Sequence, residues 1–251
     1  MKPVTRFIST LAPAMVVLCL LAQHAADARD PRTGTRTLRL GRDSVLVHYA
    51  VPDSVGKRPA VLVLHDRFGM HTHVQSVLRV LATVGYRAFA LPLLSAQERP
   101  ILGTPPAALD SADISRVAQA AVELLNEEEC TGRIGLLGFD VGAAVAAETL
   151  ARLPFFKAAV LFYPSGGTAT LARLPFSPTP ILLCIAYDDI ECSINDVGVV
   201  REVFIDQGRR LEVQHYKDTK RFFFNPEHEQ YSVPAMKAAW KELIRFFNRR
   251  L

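Results

Sequence analysis

One stretch constrains the fold of this chain more than any other. It is Arg133-Ile134-Gly135-Leu136-Leu137-Gly138-Phe139-Asp140-Val141-Gly142-Ala143-Ala144-Val145-Ala146. A short apolar run breaks off in glycine-flanked residues and resumes as a helix of small residues, so it reads as strand, sharp turn, helix. The spacing Gly138-x-Asp140-x-Gly142 is that of a nucleophile elbow. Small flanking residues let the chain turn tightly enough to lift one side chain above the sheet. The residue lifted here is an aspartate.

The segments on either side repeat the alternation. Thr37 to Leu40 and Val45 to Val51 alternate apolar and polar residues across Gly41-Arg42-Asp43, which predicts an antiparallel hairpin at a sheet edge. Ala60 to Leu64 is continuously apolar, as a strand covered on both faces must be, and ends in His65-Asp66-Arg67-Phe68-Gly69. Val74, Val77, Leu78 and Leu81 then recur at helical spacing before a strand from Arg87 to Leu91. Pro100, Pro105 and Pro106 mark Ser95 to Leu109 as irregular, either a lid over a pocket or a plain surface loop. Ile114 to Leu125 is amphipathic and leads into the elbow strand. Ala158 to Tyr163, Ile181 to Ile185 and Leu211 to Tyr216 are further strands. The last helix puts Met236, Trp240, Leu243 and Phe247 on one face. Strands and helices alternating in this way predict an α/β fold, with a mainly parallel, doubly wound sheet and helices on both faces. The length of 251 residues, 49% hydrophobic and 22% charged, fits one such domain.

The start of the chain reads differently. Lys2 and Arg6 precede an apolar run from Phe7 to Ala22, followed by Ala26-Asp27-Ala28. That is the layout of a cleaved secretory signal over residues 1–28, with a polar linker at 29–36 and the domain at 37–251. The run is shorter than the roughly 20 residues of a spanning helix, and Pro13 interrupts it. The expectation is an exported protein, periplasmic or secreted, with no membrane span after cleavage. Removing residues 1–28 takes Lys2, Arg6 and Asp27 out of the +4 total and leaves +3. Basic residues are scattered with no aromatic interleaving, which argues against nucleic acid as a partner. Cys130, Cys184 and Cys192 would remain in an oxidising compartment; a Cys184 to Cys192 bridge is one reading and three buried thiols the other. No pair has metal-ligand spacing, and Gly135-x-x-Gly138 with Gly142 does not reproduce the glycine pattern that cradles a dinucleotide, so neither metal nor cofactor is expected.

Five blocks in order resemble the dienelactone hydrolase family of α/β-hydrolase-fold enzymes, from about Arg36 to the end. They are Leu64-His65-Asp66-Arg67-Phe68-Gly69, Leu81-Ala82-Thr83-Val84-Gly85-Tyr86, the elbow from Gly138 to Ala146, Ala186-Tyr187-Asp188-Asp189, and Tyr216 to Asn225. The resemblance implies a Cys-His-Asp triad that opens small esters or lactones, with an oxyanion held by two backbone N–H groups. Carried over by position, the nucleophile falls on Asp140, the acid on Asp189 (Asp188 in a second register) and the histidine on Arg221. The oxyanion donors fall on the amides of Arg67 and Val141, and Asp66 falls where the family has an acidic residue touching the nucleophile.

Two of the three triad side chains thus depart from the pattern, with physical consequences. An ionised aspartate can attack, but releasing the resulting ester needs a base to activate water. Arginine, with a pKa above about 12 and no acceptor, is not that base. Asp140, Arg221 and Asp189 can instead form a carboxylate, guanidinium, carboxylate chain that satisfies its charges and ties up the nucleophile. Two functions follow. One is a degenerate triad with little or no turnover and a retained pocket for a small ester, lactone or carboxylate ligand, lined by Asp66 and His65. The other is an active ester or lactone hydrolase that uses Asp140 with a histidine from elsewhere, namely His65, His71 or His228. The bland reading makes His65 a hydrogen-bonded strand-end residue, His71 and His73 surface loop residues and His228 a helix-flanking polar group.

Overall fold

A computed structural model describes residues 30–93, 111–209 and 211–251. The segment read as a secretory signal and the Ser95 to Leu109 segment lie outside them. Eight strands are formed: β1 (Arg32–Leu40), β2 (Asp43–Val51), β3 (Arg58–Leu64), β4 (Arg87–Leu91), β5 (Cys130–Phe139), β6 (Ala158–Phe162), β7 (Ile181–Ala186) and β8 (Glu212–Tyr216). Between them run α1 (Thr72–Thr83), α2 (Ser111–Leu125), α3 (Val141–Arg152), the short α4 (Gly167–Leu171) and α5 (Ile194–Asp206), and α6 (Val233–Arg250) closes the chain.

The strands make one sheet in the order β1-β2-β4-β3-β5-β6-β7-β8. Neighbours from β4 through β8 are parallel, and β1 and β2 are antiparallel at one edge. The sheet is the mainly parallel one that the strand pattern implies, and the fold is the α/β-hydrolase type that the resemblance implies. The edge hairpin is longer than the alternation suggests: β1 begins at Arg32, pairing with Val51, so most of the expected 29–36 linker is strand. The reason is visible at Arg36. Its guanidinium lies 4.6 Å over the Phe89 ring and is hydrogen-bonded to Glu127, which fastens a polar segment to the sheet.

Continuous apolar strands need both faces covered, and each strand divides its residues between two cores. Leu62, Leu64, Leu136, Leu161 and Leu183 face the cluster that holds α2, α3 and α5. Val61, Val63, Leu137, Val160 and Leu182 face the cluster that holds α1 and α6. On α6, Trp240, Leu243, Phe246 and Phe247 are all buried. Burial of this kind stabilises by about 1.5–3 kcal/mol per large apolar side chain. His73, expected on a surface loop, lies instead in the second core, its ring 5.7 Å from Phe139 and 5.8 Å from Phe224. Burial lowers its pKa to about 3, so it is a neutral core residue. Cys130, Cys184 and Cys192 are free and buried, and burial pushes the Cys184 and Cys192 thiols up to about 12. Among the described residues no helix is long and apolar enough to cross a membrane.

Parallel strands that share a direction put all their carboxyl ends on one edge, where the following loops converge. Five such ends meet here: His65 to Arg67 after β3, Asp140 after β5, Tyr163 after β6, Asp188 to Glu191 after β7 and Arg221 after β8.

Candidate functional site

Asp140 sits between β5 and α3 with φ 51° and ψ −113°, a backbone conformation that L-residues adopt only under constraint. The constraint is steric and local. A Cβ on Gly138 would stand 2.7 Å from the Ala143 Cα and the Gly142 carbonyl oxygen. One on Gly142 would stand 2.4 Å from the carbonyl oxygens of both Leu64 and His65. Only glycine lets α3 start this close to β5 and β3. Main-chain bonds hold the bend: Asp140 donates to the Phe162 carbonyl at 3.1 Å, and Ser165 donates to the Asp140 carbonyl at 3.1 Å.

The carboxylate so presented is fully enclosed and paired. Its Oδ2 accepts from Arg67 Nε at 2.6 Å and from the Arg67 amide at 3.1 Å; its Oδ1 accepts from Arg67 Nη2 at 2.7 Å and Arg221 Nη2 at 2.8 Å. Arg221 continues the chain, with Nη1 donating to both Asp189 oxygens at 3.0 and 3.1 Å and Nη2 to the Tyr163 carbonyl at 2.6 Å. Asp189 is fixed in turn by the amides of Glu191 and Cys192, at 2.9 and 3.1 Å. The expected carboxylate, guanidinium, carboxylate chain is therefore formed in full, in the acid register of Asp189. Asp188 is exposed and takes no part.

Two further side chains complete the site, and the second of them, Glu191, was not among the residues the sequence singled out. Arg67 contributes its side chain as well as its amide, clamping Asp140 in a bidentate pair. Glu191 accepts from Arg67 Nη2 at 3.0 and 3.2 Å and lies 3.5 Å from Arg221 Nη2, which closes a ring of two guanidinium and two carboxylate groups. The signal for Glu191 was its place two residues after Asp189, in the loop between β7 and α5. Of the expected oxyanion donors, the Arg67 amide is already occupied by Asp140 itself.

The electrostatics follow from who is paired. Burial drives the Asp140 carboxyl up, but the hydrogen bonds and charges of Arg67 and Arg221 outweigh it and hold it below the ordinary carboxylate range. Both guanidinium groups, although disfavoured by burial, are held more firmly protonated by the carboxylates. Among the described residues no arginine hydrogen-bonds Asp66. It accepts from the Phe68 amide at 3.0 Å and from Asn225 Nδ2 at 3.2 Å. Burial is the largest influence on it and, with the Asp140 charge, raises it to about 7. The two carboxyls repel, and Asp140 is the one that arginine hydrogen bonds keep ionised.

No histidine among the described residues bonds Asp140. His65, expected to line the pocket, turns both nitrogens inward: Nδ1 meets the Asp66 carbonyl at 2.8 Å and Nε2 accepts from the Leu93 amide at 2.9 Å. That fixes the neutral tautomer with the proton on Nδ1. The His71 ring is 6.3 Å from that of Phe68. His228 packs its ring 4.6 Å from Phe222, and its Nδ1 accepts from the Gln230 amide at 3.2 Å. Among the described residues no group of three or more His, Cys, Asp or Glu side chains could hold a metal ion. What the arrangement does is hold the Asp140 carboxylate ionised between two guanidinium groups.

Comparison with known proteins supplies the lineage. A model described as the dienelactone hydrolase family matches residues 46–251. The Methylorubrum extorquens protein named "Putative carboxymethylenebutenolidase" is 24% identical, over 83% of this chain and 78% of its own length. A protein of that name from Escherichia coli K12 is 23% identical over 82% and 83%. Among solved structures, a dienelactone hydrolase-like promiscuous phosphotriesterase from metagenomic libraries aligns with TM-score 0.73 at 19% identity, covering 88% of this chain and 99% of that one. A dienelactone hydrolase of Anabaena variabilis aligns at 0.66 and 17%, covering 89% and 100%. At such identities the structural likeness speaks for the fold alone.

Proposed function

The chain belongs to the dienelactone hydrolase family, and from that premise we propose that it is a member whose triad positions have been converted from acyl transfer to an ion-paired scaffold beside a small-ligand pocket. One observation carries the reading: Arg221, at the histidine position, donates to Asp140 and Asp189 at once. A triad histidine takes a proton from the nucleophile and later returns it. A guanidinium flanked by two carboxylates is held protonated and does neither. Asp140, for its part, spends its oxygens on four donor contacts. The ligand class that the family points to is a small ester, lactone or carboxylate, held without net conversion. Export through residues 1–28 is part of the same proposal; it is tested by the N-terminal mass of protein recovered from each cell fraction, which should begin after Ala28.

A second reading, a slow hydrolase that attacks through Asp140, is favoured by the strained elbow backbone, whose φ of 51° still presents the side chain as a nucleophile would be presented. Hydrolysis of p-nitrophenyl acetate and a simple unsaturated lactone separates the two. The parent should release product no faster than Asp140→Ala, and the double variant Asp140→Cys with Arg221→His should hydrolyse the ester. Parent activity that disappears with Asp140→Ala would replace the scaffold reading with the hydrolase one.

A further inference from the structure

We propose that this chain carries a binding site for a small aromatic monocarboxylate in the place now taken by the Glu191 side chain, and that Glu191 acts as its built-in competitor. The inference rests on the reading above only in taking Asp140 as permanently held by arginine. Of the ion-paired side chains, Asp140 and Asp189 are 0% exposed and Arg67 and Arg221 are 8% and 9%, whereas Glu191 is 30% exposed. It is the member that water can reach. Its carboxylate lies against one nitrogen of each arginine, Arg67 Nη2 at 3.0 Å and Arg221 Nη2 at 3.5 Å, which is how an incoming carboxylate would approach the pair.

Removing that carboxylate would leave the clamp assembled. Arg67 keeps Asp140 through Nε and Nη2, Arg221 keeps Asp140 and Asp189, and two guanidinium charges still face two carboxylates. Glu191 can also turn outward without loosening the loop, because its amide stays bonded to Asp189 at 2.9 Å. A preformed clamp of this kind demands little reorganisation from a ligand. A single carboxylate replaces the Glu191 head like for like, offering charged acceptors to the same two arginine nitrogens, whereas an amide offers one neutral oxygen.

The neighbouring surface sets the body of the ligand. The Phe222 ring lies under both guanidinium groups, 5.6 Å from that of Arg67 and 5.7 Å from that of Arg221. It continues into Phe68 at 5.1 Å and His228 at 4.6 Å, which themselves stand 5.6 Å apart. Phe222 is buried, while Phe68 and His228 are partly open to solvent. A flat ring attached to the carboxylate would leave the clamp along this aromatic face, with offset or edge contacts available at each step.

The test is calorimetric titration of the purified chain and of Glu191→Ala with benzoate, acetate and benzamide. Glu191→Ala should bind benzoate at least about tenfold more tightly than the parent, since the apparent affinity of a site scales with the fraction of time it is free. Benzamide should gain nothing, and acetate should bind more weakly than benzoate. Equal benzoate affinity in the two proteins, or an equal gain for benzamide, would overturn the proposal. Acetate binding as tightly as benzoate would overturn its aromatic half. Ester hydrolysis by the same parent sample bears on the reading above and not on these affinities, so the two failures are distinguishable.

Discussion

The elbow and the ring of charges above it lie side by side yet obey different constraints. Below Asp140, a Cβ on Gly138 or Gly142 would meet backbone atoms at 2.4 to 2.7 Å, and Leu64, Leu137 and Phe139 are sealed in the sheet. Nothing there can change without moving a strand or a helix. Above it, Arg67, Arg221 and Glu191 reach in from loops after three different strands and meet through side-chain tips. The scaffold is fixed by excluded volume, which admits almost no alternatives. The chemistry is fixed by charge pairing, which admits many arrangements provided every buried charge finds a partner. A fold can therefore keep its elbow while the side chains that meet above it vary.

The sharpest way to break this contrast is to disturb the scaffold. Gly142→Ala would set a methyl group against two carbonyl oxygens of β3 and its following loop. Urea unfolding should show a loss on the order of 3 kcal/mol, the upper end for overpacking, because backbone on that side has no rotamer to give. A loss below about 1 kcal/mol would mean the elbow is looser than its contacts imply.

Asp140→Asn attacks the charge ring instead. It keeps the shape but removes the charge that Arg67 and Arg221 share. Breaking one partner out of a buried pair typically costs 3–5 kcal/mol; with Asp189 and Glu191 still facing Arg221, a loss of about 2 kcal/mol is expected. A variant as stable as the parent would argue that the pairs do not form.

Most of the scaffold was legible in the sequence because the physics behind it is local. Continuous apolar runs, the helical spacing of Val74 to Leu81 and the glycines of the elbow each act within a few residues. Asp140, Asp189 and Arg221 were legible by position, through the order of the blocks. The Arg67 guanidinium was legible as a group able to neutralise a carboxylate at the elbow; its bidentate grip on Asp140 and the presence of Glu191 were not. Both depend on which loop ends the sheet order brings together: the neighbouring strands β3 and β5 pair residues 72 to 74 positions apart, from Arg58 with Cys130 to Leu64 with Gly138. His73 misread as surface shows the same gap: a polar residue beside a loop was enclosed by Phe139 and Phe224 from two distant elements. The early start of β1 likewise came from a tertiary contact, Arg36 on Phe89.

Asp66 sharpens the comparison from inside the site, because it is a buried carboxyl held by amides alone, beside one held by arginines. Its folded pKa of about 7 lies above that of an exposed aspartate. The folded state therefore binds the Asp66 proton more tightly than the unfolded chain, and the contribution of Asp66 to stability falls as pH rises from about 4 to about 7, at up to about 1.4 kcal/mol per pH unit. Asp140 acts in the opposite sense: its lowered pKa adds stability that is lost only as pH falls below the ordinary carboxylate range. Measured at pH 5, 6 and 7, the unfolding free energy of the parent minus that of Asp66→Asn should fall as pH rises, because groups common to both proteins, such as the buried neutral His73, cancel in the difference. Parallel curves would mean that Asp66 does not titrate there.

The smallest effect belongs to the outermost charge. Glu191→Gln keeps a side chain of the same length and leaves Asp140 and Asp189 as the partners of both arginines. The glutamate is nearly one-third exposed, so its attraction to Arg67 is partly screened by water. Stability should fall by less than about 1 kcal/mol, and the fall should shrink further when unfolding is measured at high ionic strength. A loss as large as that of Asp140→Asn would make Glu191 part of the buried framework, and the boundary between fixed scaffold and exchangeable chemistry would have to be drawn outside it.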